Sequence, residues 1–255
     1  MDEYGEDSDF YKVRVRGDFP SASSNQKIPG DLLDKAMSKD APHLPGDPKV
    51  MSLDIARGGS DNCVIKFRQG LNGKVKNPII LPGSEYRDSM KLAALMVNEI
   101  DDFRPDMVFV DATGVGGPVA DRIRQLGYDC IDINFASKSP DPHFANMRAY
   151  MAHKWLEWLK DGGSVPYSED LKTEIGAVEY THNGKDQEIL IPKEVIKKKI
   201  GVSTDEFDAS ILLNAMPVAP KQRSFPGDNR PASTQGYNPW RDSDMIADTH
   251  YDPFD

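Results

Sequence analysis

Three aspartates stand where an aspartate is costly. Asp54 lies in "VMSLDIARGGSDNCVI" (residues 50–65), where Val50, Met51, Leu53 and Ile55 read as a strand entering a core. Asp111 closes "MVFVD", a short, almost wholly apolar run of the kind that forms a strand buried on both faces. Asp208 falls in "STDEFDASILLNAM", and its neighbours one and two turns on are Ile211, Leu212 and Ala215. It therefore shares the stripe that a helix there would turn to the core, with Asp205 one turn earlier on that side. An aspartate at a strand end is ordinarily a turn former. One on an apolar helical stripe has no such explanation, because a buried carboxylate is costly unless paired or bound to metal. No neighbouring bases neutralise all three, and gathered together they would repel. A divalent cation is the natural counter-charge. Gly58 and Gly59 after Asp54 allow a tight turn with close backbone approach, and Asp61 reads as a turn residue.

Such acids need rigid elements to hold them. "CVIKFRQG" (63–70) and "KVKNPIIL" (74–81), separated by "LNG", predict two strands in a hairpin after the first strand. Met90, Leu92, Ala94, Leu95, Val97 and Ile100 have helical spacing within residues 86–103. The strand ending at Asp111 is followed by a helix, "GGPVADRIRQLG", with Pro118 in its first turn and Gly127 at its end. Then come a strand, "CIDINF", and a long helix over 143–163 that carries Trp155 and Trp158 as core residues. A hairpin between Val178 and Ile191 turns at "HNGKD". Ser203 and Glu206 form a capping box, which starts the last helix at Thr204. Three consecutive strands, then strands alternating with helices, predict an α/β fold: a mixed sheet, part antiparallel meander and part parallel, flanked by helices. Residues 1–48 read as a lead-in containing a short helix in "IPGDLLDKAM", 49–218 as the body, and 219–255 as a disordered tail rich in Pro, Gly, Ser, Asn and Asp.

Charge is uneven. The net charge is −10, but residues 1–10 hold five acids and no base, and from Phe225 onward six Asp face two Arg. The body is near neutrality and can carry a local basic patch. No apolar run approaches the ~20 residues of a membrane span. The acidic N-terminus lacks the order of a signal peptide. Cys63 and Cys130, far apart and in apolar contexts, read as reduced core residues.

The local motifs go further. "DIARGGSDNCVI", "FVDATGVGGPVADRIRQLGYDCIDINFASKS" and "IPKEVIKKKIGVSTDEFDASILL" together resemble the nuclease domain of tailed-bacteriophage terminase large subunits, an RNase H-like fold. "YGEDSDFYKVRVRGDFP" resembles the segment that precedes it. The resemblance spans about residues 3–216. It implies metal-dependent endonuclease cleavage of concatemeric double-stranded viral DNA during packaging. The metal-binding and catalytic carboxylates are then Asp54, Asp111 and Asp208, with Asp205 auxiliary, holding two Mg²⁺ or Mn²⁺ ions. The implied partners are duplex DNA, a portal protein and a small terminase subunit, in the host cytoplasm at the procapsid portal and with no membrane. The packaging ATPase of such proteins has no counterpart here, since no G-x-x-x-x-G-K-[ST] occurs. The chain reads as an excised nuclease domain. It also has "STD" at residues 203–205 where similar sequences have "SPD".

Lys193, Lys197, Lys198 and Lys199, just before the last helix, are candidates for DNA phosphates. His182 and Lys185 read as a solvated turn, Arg122 and Arg124 as surface, and His153 as no metal ligand. Neutralising Asp208 should relieve like-charge repulsion among the acids. Three other readings compete. "VDATGVGG" suits a methyltransferase glycine loop, "DIARGGSDN" the phosphate loop of actin-like ATPases, and the whole chain a non-catalytic DNA- or portal-docking module.

Overall fold

The computed structural model describes residues 25–55, 61–86, 88–113 and 116–221. The stretch "FYKVRVRGDFP" (10–20), whose alternating Val and Arg read as a short exposed strand, the Gly58–Gly59 turn and nearly all of the predicted tail lie outside them. The chain divides into two units, residues 1–218 and 219–255, and every helix and strand described belongs to the first.

In chain order the elements are α1 (Gly30–Ser38), β1 (Lys49–Asp54), β2 (Asn62–Gln69), β3 (Ile79–Pro82), α2 (Ser89–Phe103), β4 (Met107–Asp111), α3 (Gly116–Gln125), β5 (Ile131–Ile133), α4 (Met147–Lys160), α5 (Glu169–Ala177), β6 (Tyr180–His182), β7 (Glu188–Leu190), α6 (Lys193–Ile200) and α7 (Asp205–Leu212). Five strands form one mixed sheet in the order β3-β2-β1-β4-β5, and β6 pairs with β7 separately. The expected meander and parallel strands are both present: β1–β2 and β2–β3 are antiparallel, β1–β4 and β4–β5 parallel. The consecutive antiparallel β1–β2–β3 is not the doubly wound order of a methyltransferase.

Strand alternation sorts side chains between two cores. Met51, Leu53, Val108 and Val110 point to one face and pack with Leu92 and Met96 of α2 and Val119 and Ile123 of α3. Val50 and Phe109 point to the other, joining α1, α4, α5, α6 and α7, with Trp155, Ile175 and Phe207 at its centre. The same parity puts Ser52, Asp54 and Asp111 on the second face. There α7 lies against β1, and the Ser52 hydroxyl donates to Ala209 O at 2.8 Å. Cys63 and Cys130 are buried and form no disulfide with each other.

Three departures from expectation have local causes. The second hairpin strand begins at Ile79, not Lys74. Gly70 turns at φ 55°, and the Gly73 amide is drawn to Ser164 O at 2.8 Å, so close that a Cβ would stand 2.4 Å from that oxygen. The chain between the strands is thus pinned to the loop after α4. Helix α5 was not foreseen, although Ser168 caps it by accepting from Leu171 N, and Glu169 and Asp170 follow in its first turn. Finally, the packing shows no break at residue 48. Ile28, Leu33, Ala36 and Met37 are buried in the second core, and Lys27, 4% exposed, is ion-paired with Glu188 of β7. Among the described residues no helix is long and apolar enough to cross a membrane.

Candidate metal centre

Asp54 and Asp111 end neighbouring parallel strands, each one residue beyond the paired Leu53 and Val110. Sheet geometry therefore sets them side by side on the α7 face. Asp111 is steadied by its own turn, Oδ1 accepting from Thr113 N at 2.8 Å. Helix α7 is buried along its whole length and delivers Asp205 and Asp208 from its first turn to the same place. Asp54, Asp111, Asp205 and Asp208 are all less than a tenth exposed.

The group is held by two cations. Lys193 Nζ lies 2.9 Å from Asp205 Oδ1, 3.1 Å from Asp208 Oδ2 and 3.7 Å from Asp54 Oδ2. Arg148 Nε donates to Asp208 Oδ1 at 2.9 Å, while its other nitrogens reach Thr204 Oγ1 and Ile191 O. Thr204 gives its hydroxyl to Asp208 Oδ2. Asp205 Oδ2 accepts from Asn62 N at 2.8 Å, tying the start of α7 to β2.

These surroundings split the acids. Burial pushes the Asp54 carboxyl well up, against the pull of Lys193 and with the help of the neighbouring Asp208 and Asp111. Burial also raises Asp111. For Asp208, burial acts in the same direction but Arg148 and Lys193 outweigh it, holding the carboxyl below its ordinary range. Lys193 is kept charged, its burial overcome by Asp54, Asp208 and Asp205.

The four predicted acids thus come together. The four lysines before α7 meet different neighbours. Lys193 turns into the acids, Lys197 pairs with Asp61, Lys199 lies 3.2 Å from Glu179, and Lys198 is exposed. The expected capping box is absent. Ser203 Oγ is buried with no hydrogen-bond partner among the described residues. Glu206 instead reaches Lys66 at 2.9 Å and accepts from Ser168 Oγ at 2.6 Å. The helix starts at Asp205 with Thr204 before it, and the amides of Glu206 and Phe207 donate to Glu174 of α5. Sequence reading missed Arg148 and Glu174. Arg148 lies on a helix read for its tryptophans, and Glu174 on one not read at all.

Among the described residues no three His, Cys, Asp or Glu side chains stand as a ready-made metal group; Lys193 lies among three of the carboxylates. The donor set nevertheless fits a hard divalent cation. It is all carboxylate oxygen, and it already encloses one positive charge, the Lys193 ammonium, at the point where the acids converge.

A mixed sheet of this order, with acids at the ends of adjacent parallel strands and on a helix packed against them, has the RNase H-like fold expected from the sequence. The chain is similar in fold to the nuclease domains of phage terminase large subunits, and in sequence to such a subunit. It matches the nuclease domain of large terminase subunit gp2 of bacterial virus Sf6, a lysine-to-alanine mutant with manganese and beta-thujaplicinol. The TM-score is 0.57 and the identity 18%, over 75% of this chain and 99% of that one. The large terminase nuclease of thermophilic phage G20c follows at 0.54 and 14%, over 74% and 97%; a form of it has bound magnesium. In sequence the chain is 27% identical over 237 residues to a "Probable terminase, large subunit" of Enterobacteria phage P7, covering 84% of this chain. It spans about half of that relative's length, 47%. No family model matches the sequence.

Proposed function

We propose that this chain is the metal-dependent endonuclease module of a phage DNA-packaging motor, hydrolysing concatemeric double-stranded viral DNA with two Mg²⁺ or Mn²⁺ ions. One observation carries the reading: three buried carboxylates, Asp54 of β1 and Asp205 and Asp208 of α7, converge on the Lys193 ammonium, with buried Asp111 at the end of the strand beside β1. The terminase likenesses supply the context, and solved relatives with bound manganese or magnesium support the choice of metal.

Asp54, Asp111 and Asp208 would hold the ions, with Asp205 auxiliary. When bound, the ions activate a water at neutral pH and neutralise charge developing on the phosphate. The strands hold Asp54 and Asp111 at fixed separation. Arg148 keeps Asp208 ionised and fixes its rotamer. Lys193 balances the acids in the metal-free protein, so metal entry requires its ammonium to move aside. DNA contact is assigned to the α6 lysines Lys197, Lys198 and Lys199, with Lys193 serving the acids first. The portal, the small subunit and an ATPase region of the same polypeptide are the proposed partners, at the procapsid in the host cytoplasm.

Incubation with supercoiled plasmid tests this directly. Nicked and linear products are expected with Mn²⁺ or Mg²⁺ and none in excess chelator. Cutting undiminished by chelator excludes the metal mechanism. No cutting with any divalent ion favours the docking module. Neutralising Lys197, Lys198 and Lys199 together should weaken duplex binding and flatten its salt dependence, because each phosphate contact releases counterions. A salt series with unchanged affinity would assign them to the solvated face and to their acidic neighbours.

A further inference from the structure

We infer that Glu174 is the positioning residue for the acids of α7, a role that rests on the metal reading of the site. The helix has eight residues, and its first turn carries both Asp205 and Asp208. Its own sequence does not cap it. Thr204 spends its hydroxyl on Asp208, and Ser203 Oγ has no partner among the described residues. The N–H groups that open the helix are met from another element. Glu174 Oε2 accepts from Phe207 N at 2.6 Å, and Oε1 more weakly from Glu206 N at 3.3 Å. Glu174 is 4% exposed and sits on α5, whose capping Ser168 also donates to Glu206.

A carboxyl group whose two oxygens accept from successive amides fixes a helix start in both translation and roll. The roll of α7 decides whether Asp205 and Asp208 face Asp54 and Asp111 across the gap to the sheet. Metal sites require such placement to within about 0.5 Å. Lys66, by pairing with Glu206, braces the same turn from β2. Glutamine is the informative replacement. It has nearly the same shape, but its amide nitrogen would confront one of the two N–H donors.

The test compares E174Q with wild type and with Ile123→Val, a control for general loss of stability on α3 across the sheet. In metal-free protein, E174Q should speed amide exchange at Glu206 and Phe207 and shift the carboxyl ¹³C signals of Asp205 and Asp208; the control should do neither. Titrated calorimetrically with Mn²⁺, E174Q should bind about tenfold more weakly, as loss of an outer support typically does, with the control unchanged. Unmoved α7 signals overturn the inference. So does Mn²⁺ affinity equal to wild type in a variant whose signals have moved. If wild type itself binds no Mn²⁺, the proposed function falls, and the metal-free signals alone decide whether Glu174 places the acids. Should E174Q fail to fold, Glu174→Asp, which keeps the charge but retracts it by one methylene, is read in the same two ways.

Discussion

At the scale of residues, Asp54 and Asp208 share the Lys193 ammonium but are driven in opposite directions. Asp54 is raised by burial and by its acidic neighbours. Asp208 is held down because the Arg148 guanidinium lies directly against it. The sequence-based expectation that neutralising Asp208 would relieve repulsion is therefore corrected for this residue and transferred to Asp54. Asp208→Asn leaves a mostly buried Arg148 without its partner, and breaking a buried pair costs about 3 kcal/mol. Metal-free melting should fall for Asp208→Asn and rise for Asp54→Asn. Both variants should be inactive on plasmid. Thermal melts in chelator measure the first pair of effects, and a rise for Asp208→Asn would show that Arg148 does not compensate it.

At the scale of elements, α7 is a short buried helix whose beginning is stabilised from outside. Burial lifts the Glu174 carboxyl well above its ordinary value, although Phe207 N–H works against the rise. A carboxyl raised in the folded state contributes stability that is fully present below its unfolded value and is lost as pH climbs through the folded one. In chelator, wild type should therefore lose stability as pH rises above the ordinary glutamate range. E174Q, with no proton to lose, should show a shallower loss over the same interval. Parallel slopes for the two proteins in a series of melts would mean that Glu174 does not titrate there.

At the scale of the whole molecule, residues 25–48, the described stretch before β1, pack into the body. Helix α1 seats Leu33, Ala36 and Met37 in the core shared by α4, α5 and α7, and Lys172 of α5 reaches Asp34 at 2.9 Å. The helices that carry Arg148 and Glu174 thus pack against a segment that reads in sequence as a lead-in. Leu33→Ala should cost about 2–5 kcal/mol, as deletions in a closed core do, and a urea melt measures it. A chain begun at residue 49 should lose the second core's cooperative unfolding. A truncation that melts like wild type would restore the boundary at residue 48.

Local pattern determined the mixed sheet and the strand–helix order except for α5, and it marked the four acids as candidates. An acid on an apolar run or stripe can be seen within a dozen residues, and strand parity follows from a period of two. The partners of those acids depend on contacts remote in the chain. Arg148 meets Asp208 across 60 residues, and Glu174 meets Phe207 across 33. Lys193, one basic residue in a run of four, is singled out only because α6 begins where the acids converge. The capping box failed for the same reason. Ser203 and Glu206 have the right spacing, but Lys66 and Ser168 offer Glu206 a buried ion pair and a shorter bond, and Glu174 takes the helix donors. Sequence spacing names the groups able to bond locally; the packed core decides which of them are left for the site.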